Sequence, residues 1–551
     1  MLKAIKQNIL HWWNELDKKY FLGMLLFSSF VFFPLISQRL TNAYDGMWTT
    51  AEYWAGRWEL SNGRWLWPVT SFLRFSAQLE PINAVVCLAL VSLGAARLHM
   101  LFKSARMGTS CIDWLAGLCY VSNTVIACYL SFQYISPEYG FSFFLAVLAA
   151  EQAIRAEKMI VGIISGAVFL AMSLGLYQTN LACFCLVMLA YFLLLLFRNQ
   201  EKQKIREHIY RSLASAASGA VLYLLILKVA LWATGTAMAD YQGGADVSVS
   251  GILKNLPSSI AKCYELFYQY FFGTLVKHNM LQETAVVFVL MFFVVGAALA
   301  CRLVRLIRRK DWENTFYGIA ALLVLPMTCT IFMVATSQAS FYIPMSGGLA
   351  LFLPVCFWLL DSSWESKTAC DVFHKCWNKA EKALTLLTAA AVVYGSVFMS
   401  AVDQQAMYEG RLATKELSDL IAQTLVSEGY YDNEIPVMLV GNASSSPLFR
   451  THELYHTANP YARVGLFMAE TAGTIRFSWD AAFRDYTPIW LNLCDDKTYQ
   501  KLLETEEIAE MPTFPQEGSI RKMDGVLVIK VSEEYHLDAD WKNKMMSGEY
   551  D

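Results

Sequence analysis

Charge is what this 551-residue chain has least of. Asp, Glu, Lys and Arg make up 17% of it, against about 25% in a soluble domain. It has no Cys-x-x-Cys pair, and of its 13 cysteines only Cys494 lies beyond residue 403. Most of the others fall inside apolar runs, where a cysteine serves as a small apolar residue. Thiol redox and zinc chemistry are therefore set aside. No Gly-x-Gly-x-x-Gly follows the strand-like Pro436–Val440, where Gly441-Asn-Ala-Ser-Ser-Ser stands instead, so no dinucleotide fingerprint is read. There is no internal repeat, no low-complexity tract and no basic stripe. The last of these argues against a nucleic-acid partner.

What the chain has instead is apolar length. Hydrophobic residues make up 56% of it and the mean hydropathy is +0.36. Length alone would suggest about three or four domains, but many apolar runs approach the roughly 17–25 residues of a membrane helix. A soluble enzyme, a disordered chain and a disulfide scaffold are excluded. The pattern predicts an α-helical polytopic membrane protein with about eleven spans, near 20–40, 81–101, 111–131, 138–154, 159–177, 180–197, 213–234, 284–303, 315–335, 345–361 and 383–402. The near-neutral total of −3 hides two parts. Residues 403–551 hold 13 Lys and Arg against 25 Asp and Glu, and residues 1–402 hold 31 against 22. The tail is as charged as an ordinary globular domain. It reads as a small α/β unit, helical over 409–427 and 496–510, with strands at 436–441 and 525–531.

Basic residues in the short loops alternate strictly. One set of loops carries 22, among them Lys18, Lys103, Arg155, Arg198 and Arg302; the other carries only Arg57, Arg64, Arg74, Lys254, Lys262 and Lys277. The positive-inside rule then puts the N-terminus in the cytoplasm and the acidic tail outside. The first span shows no small-x-small cleavage site and is read as a retained helix. Two long outer loops stand out. Residues 41–80 contain Trp48, Tyr53, Trp54, Trp58, Trp65 and Trp67, and residues 235–283 contain an amphipathic stretch from Ile252 to Leu275. Both predict helices lying in the membrane interface.

The chemistry-bearing residues gather on that outer side. After the first span come Asn42-Ala-Tyr-Asp45, then Glu52, Gly56-Arg57-Trp58 and Asn62-Gly63-Arg64-Trp65. A carboxylate can take a proton from an acceptor hydroxyl, a fixed cation can stabilise a departing phosphate, and aromatic faces can pack on sugars and lipid headgroups. A solvated loop would carry the same charges. Ser136-Pro-Glu138-Tyr139 puts an acid where the chain re-enters the membrane, an expensive position that often marks function, although an acid also favours a helix N-terminus. Ser173-Leu-Gly-Leu-Tyr177-Gln178-Thr-Asn180 can hydrogen-bond sugar hydroxyls or cap its own turn. Ser337-Gln338-Ala-Ser340-Phe341-Tyr342-Ile-Pro344 is an uncharged turn, and Lys277 with His278 ends the second long loop. His452, Glu453 and His456 have the spacing of a metal pair but no third ligand, so no metal and no cofactor are expected.

Asp45 after the first span, Gly63-Arg64-Trp65, Leu174-Gly-Leu-Tyr177-Gln178 and the late Met511-Pro-Thr-Phe-Pro through Lys530 segment together resemble the type II glucosyltransferase family, integral-membrane enzymes of the GT-C class whose first-described members glucosylate bacterial O-antigen. The resemblance covers the membrane part. It implies a GT-C-like domain over 1–402, an extracytoplasmic α/β domain over 403–551, and a multi-pass protein of the bacterial cytoplasmic membrane. It also implies a polyprenyl-phosphate-linked sugar as donor and a surface polysaccharide or lipid-linked glycan as acceptor. Asp45 matches the catalytic base of that class. Where family members often show two adjacent acids, this chain has Tyr44-Asp45-Gly46, so Asp45 acts alone or with Glu52 or Glu138. Arg57 and Arg64 are the candidates for the donor phosphate, Arg64 lying in the matching element. Tyr177, Gln178, Asn180, Tyr342 and Lys277 complete the candidate substrate contacts. A glycolipid flippase, or a membrane anchor whose tail binds glycans, are the rival classes.

Overall fold

The computed structural model describes residues 12–41, 53–77, 79–103, 110–239, 249–273, 282–335, 341–363, 372–449 and 472–535. The chain is helical from its first described turn to residue 427. Helices α1 (Lys18–Val31) and α2 (Phe33–Gln38) occupy the first expected span and break at Phe32 before Pro34. Short helices α3 (Arg57–Ser61) and α4 (Trp67–Leu73) follow, then α5 (Ile82–Lys103), α6 (Cys111–Val121), α7 (Thr124–Ser131), α8 (Ser136–Arg155), α9 (Met159–Leu176), α10 (Leu181–Phe197) and α11 (Lys202–Thr234). The second long loop contains α12 (Val249–Phe271), and α13 (Gln282–Arg308), α14 (Trp312–Thr328), α15 (Gly347–Ser362) and α16 (Val372–Ser427) complete the bundle. Among the described residues seven segments are long and apolar enough to cross a membrane, so the chain is a helical multi-pass membrane protein.

Local chemistry sets the breaks. Ser110 and Asp113 form a capping box at the start of α6: the Asp113 amide donates to Ser110 Oγ at 3.1 Å and the Ser110 amide to Asp113 Oδ2 at 3.0 Å. Asn123 caps α7, accepting from the Val125 amide, so the expected span 111–131 is two helices joined at Ser122-Asn123. Pro137 starts α8, where its missing N–H costs nothing. Helix α8 packs against α5, α9 and α10. Its small residues let backbones approach: a Cβ on Gly140 would stand 2.8 Å from the Cys87 carbonyl oxygen.

Charged contacts gather the two ends of the bundle. At one end Arg198 donates to the Ser362 carbonyl, Ser362 to the Phe102 carbonyl, and Arg302 pairs with Glu381 at 2.7 Å. Toward that end Arg97 of α5 and Glu151 of α8 form a two-pronged pair, Nε to Oε2 at 2.8 Å, with both side chains 3% exposed or less. Removing one charge from such a pair leaves the other buried alone, at about 3–5 kcal/mol. Glu151→Gln should lower the thermal midpoint of the protein in nanodiscs, and Arg97→Met with Glu151→Met should recover most of the loss. A double variant no better than the single one would show that packing, not charge, sets the cost.

Helix α16 runs 56 residues without a break and ends in a second core. There Leu417, Ile421 and Leu425 pack with Trp479 and a four-stranded sheet. The strands are β1 (Pro436–Val440), β2 (Asn492–Leu493), β3 (Ile520–Met523) and β4 (Val526–Lys530), in the order β2-β1-β4-β3. β1 is parallel to β2 and β4, with Val437 opposite Leu527. β3 and β4 form a hairpin around Asp524-Gly525, both at positive φ, as a two-residue primed turn requires. Among the described residues this unit also contains α17 (Ala472–Tyr486), α18 (Asp496–Leu503) and α19 (Glu506–Glu510). On α16, Arg411 donates to the Gln38 carbonyl and lies over the Tyr486 ring. This joins the sheet unit to the end of α2.

Candidate functional site

At the other end of the bundle the turn between α7 and α8 is a hub. Gln133 donates to the Leu40 carbonyl at 3.3 Å and its own carbonyl accepts from Asn83 at 3.0 Å. The Tyr134 carbonyl accepts from Arg74 Nη2 at 2.5 Å, and the Tyr134 ring meets Tyr53 edge-on with centroids 4.6 Å apart. Separate segments of the chain thus converge on the neighbours Gln133 and Tyr134. Glu138, in the first turn of α8, pairs with Arg74 at 3.2 Å while its side chain is 2% exposed. Arg74 reaches it because α4 and the turn after it divide into two faces. Phe72, Leu73 and Phe75 are exposed, as an interfacial element's apolar side would be, and Arg74 points inward.

Glu59 closes the entry to this segment. Its carboxylate accepts from the Gly56 amide at 2.6 Å and from the Tyr53 hydroxyl. Burial, and then the Glu59 carboxylate itself, push the Tyr53 phenol well above its ordinary value, so Tyr53 stays a donor.

Arg64 lies between rings. Its guanidinium is 4.4 Å from the centroid of Trp67 and 6.0 Å from that of Tyr177, close enough for cation–π attraction. The rings are fixed by the 173–180 motif: Trp67 Nε1 donates to the Leu176 carbonyl at 2.7 Å, and the Leu66 amide to Gly175 O at 3.0 Å. Gln178 Nε2 donates to the Asn62 carbonyl at 2.8 Å, and Tyr223 to the Gly63 carbonyl at 3.2 Å. Gly63 has φ +81°, and a Cβ there would stand 2.6 Å from Gln178 Nε2, so this close approach requires glycine. Tyr177 continues a ladder of rings through Tyr139, 5.0 Å away, to Tyr129, stacked 4.7 Å beyond.

The candidate residues therefore divide. Arg64 lies over Tyr177, and Arg64 and Glu138 both act electrostatically on the Tyr53 phenol. Gln178 and Asn180 are spent on protein partners, Asn180 Nδ2 donating to Ser142 Oγ at 2.8 Å; they position the segment. Arg57 is exposed at the start of α3. Tyr342 is half exposed on the turn whose Pro344 carbonyl accepts from Tyr129. Asp45, Glu52, Lys277, His278, Ser337, Gln338, Ser340, His452, Glu453 and His456 lie outside the described residues. Thr41 and Tyr53 bracket the segment that carries Asp45 and Glu52.

The sequence alone assigns no role at the site to Tyr53, Glu59, Arg74 or Glu80. Glu59 had a signal, an acid three residues after Gly56 at a helix start. Arg74 had one too, as the lone charge in Phe72-Leu73-Arg74-Phe75. Glu80, just before α5, has its carboxyl pushed up to about 7 by burial, against the Ala84 amide and the charge of Arg39. The folded chain thus holds this proton more tightly than the unfolded chain, whose carboxyl titrates at its ordinary 4.5. The resulting stabilisation is complete below that value and is lost as pH rises through about 7. The thermal midpoint of the wild type should fall over that window relative to Glu80→Gln. Parallel curves for the two proteins would refute it.

A family model described as Glucosyl transferase GtrII matches residues 40–355. That range takes in Arg64, Arg74, Glu138 and Tyr177. No curated protein and no solved structure matches the chain.

Proposed function

The chain belongs to the glucosyl transferase GtrII family, and on that premise we propose that it moves a sugar, glucose first among candidates, from a polyprenyl-phosphate donor to a cell-surface glycan or lipid-linked glycan. On this reading the cluster of Arg64, Arg74 and Glu138 lies on the outer face of a bacterial cytoplasmic membrane crossed about eleven times, with the N-terminus inside and residues 403–551 outside. The observation that carries it is Arg64 held between the rings of Trp67 and Tyr177, within the range that the family model matches.

The proposed step is an inverting single displacement. The acceptor oxygen attacks the anomeric carbon, its proton passes to Asp45, and the bond from that carbon to the phosphate oxygen breaks. Polyprenyl phosphate leaves with the electron pair, its new charge facing Arg64. Phosphate is a good leaving group, so no strong general acid is required. Glu138 is held by Arg74, which favours a binding role for it over proton transfer.

The test is transfer by the purified full chain in nanodiscs from a panel of polyprenyl-phosphate sugars to surface glycan. Transfer from the glucosyl donor, absent with a nucleotide sugar alone, is expected. If labelled donor crosses an acceptor-free liposome membrane and no transfer occurs, the chain is a lipid-sugar transporter and this reading fails.

A further inference from the structure

Buried ion pairs ordinarily have their remaining polar atoms satisfied by the protein. Arg74 and Glu138 do not. Arg74 Nη2 is used twice, toward the Tyr134 carbonyl and Glu138 Oε1. Arg74 Nε and Nη1 and Glu138 Oε2 are shielded from solvent and have no hydrogen-bond partner among the described residues. The Thr70 hydroxyl and the Glu138 amide both lie within reach of the carboxylate, but the hydroxyl donates to the Trp67 carbonyl at 3.1 Å and the amide to the Ile135 carbonyl at 3.1 Å. One buried acceptor and two buried donors are therefore open side by side. Leaving such atoms unmatched is costly.

The mixture of donor and acceptor narrows the ligand. A phosphate oxygen only accepts, and Glu138 would repel it. A cation would meet Arg74. A hydroxyl does both, giving its proton to a carboxylate and taking one from a guanidinium. The half-buried rings of Tyr53 and Tyr134, packed at 4.6 Å beside Arg74, supply apolar faces for the C–H side of a pyranose. We propose that Arg74 and Glu138 form a sugar-hydroxyl subsite that selects the transferred unit: Glu138 Oε2 accepts from one ring hydroxyl, and Arg74 Nε and Nη1 donate to that hydroxyl or its neighbour. This rests on the glycosyltransferase reading and deepens it. Arg64 is left to the phosphate, and specificity is assigned to a pair that touches the sugar.

A site built to bond a hydroxyl rejects the analogue lacking it far more strongly than an apolar pocket does. The experiment uses the full chain in nanodiscs with polyprenyl-phosphate glucose and its 2-, 3-, 4- and 6-deoxy analogues, measuring equilibrium binding of labelled donor alongside kcat/KM. One deoxy position should cost the wild type about 100-fold or more. In Glu138→Gln and Arg74→Gln that penalty should shrink below about 10-fold while the other positions keep theirs. Arg74→Lys, which keeps the charge, should retain part of the selectivity and serves if the other variants do not fold. A uniform loss across all donors would make the pair a structural brace and overturn the proposal. So would a wild type indifferent to every deoxygenation. Sugar-free polyprenyl phosphate losing as much affinity as the sugar donor in Arg74→Gln would make this an anion site and overturn the proposal as well. Deoxy-selective binding without transfer would sink the proposed function and leave the subsite standing; transfer without selectivity would do the reverse.

Discussion

Asp45→Asn should cut transfer by about 10²–10⁴-fold, the contribution of a positioned general base, while the protein stays folded in the membrane and binds its donor. Asparagine keeps the shape of the carboxylate and its hydrogen-bonding oxygen but cannot take the acceptor's proton. The loss should therefore fall on kcat with the KM for donor little changed, the pattern of an interaction made only in the transition state. Glu52→Gln and Glu138→Gln are the informative comparisons. If Asp45 acts alone, Glu52→Gln costs less than about 10-fold in kcat, well under the base's share. If the two acids share the proton, their effects will not add. Transfer at the wild-type rate in Asp45→Asn would remove Asp45 from the mechanism and move the search to Glu52.

How far the sequence could be read depends on the range of the interaction behind each feature. Helices occupy every one of the apolar runs, because helix formation there is set by local composition; among the described residues seven segments have the length and hydropathy of a membrane span. The breaks at Phe32-Phe33-Pro34 and Ser122-Asn123 are also local and carry their proline or cap in the sequence. The 56-residue helix from Val372 to Ser427 was not legible as one element, since its polar second half reads like the start of another unit. What makes it continuous is packing of Leu417, Ile421 and Leu425 against strands that come later in the chain. In the same way Arg64, Tyr177 and Glu138 were each visible, but not what they touch. Gln178 looked like a sugar ligand because its amide has open donors and acceptors in isolation. The bond to the Asn62 carbonyl, 116 residues away, exists only in the fold. Arg74 was counted as a charge that sets orientation. Its pairing with Glu138 depends on a turn that directs Phe72, Leu73 and Phe75 outward, a division that the run Phe-Leu-Arg-Phe permits but does not dictate.

Arg64 carries the second large prediction. A polyprenyl-phosphate sugar, the proposed donor, is a phosphodiester with one negative charge; when its bond to the sugar breaks, the departing monoester bears a second. A cation fixed at that oxygen is worth more in the transition state than in the ground state, so its removal should reach kcat and not only KM. Arg64→Ala is expected to cost about 10²–10³-fold, the range found when one fixed donor is taken from a developing anion. Arg64→Lys should recover only part. An ammonium keeps the charge but lacks the planar fork and stacks less well on Trp67. The cradle is built before substrate arrives: Trp67 is tied to the Leu176 carbonyl, and Gly63 is packed against Gln178 and Tyr223. On the proposed reading a guanidinium held by such a cradle needs little reorganisation in the transition state, and that preorganisation is why a single residue would carry so much. Arg57, exposed on α3, is the internal control, and Arg57→Ala should change transfer less than about 3-fold, the span of a surface substitution. If Arg57→Ala matches Arg64→Ala, the phosphate is held at the exposed edge, and the ring-bound arginine is a structural pin.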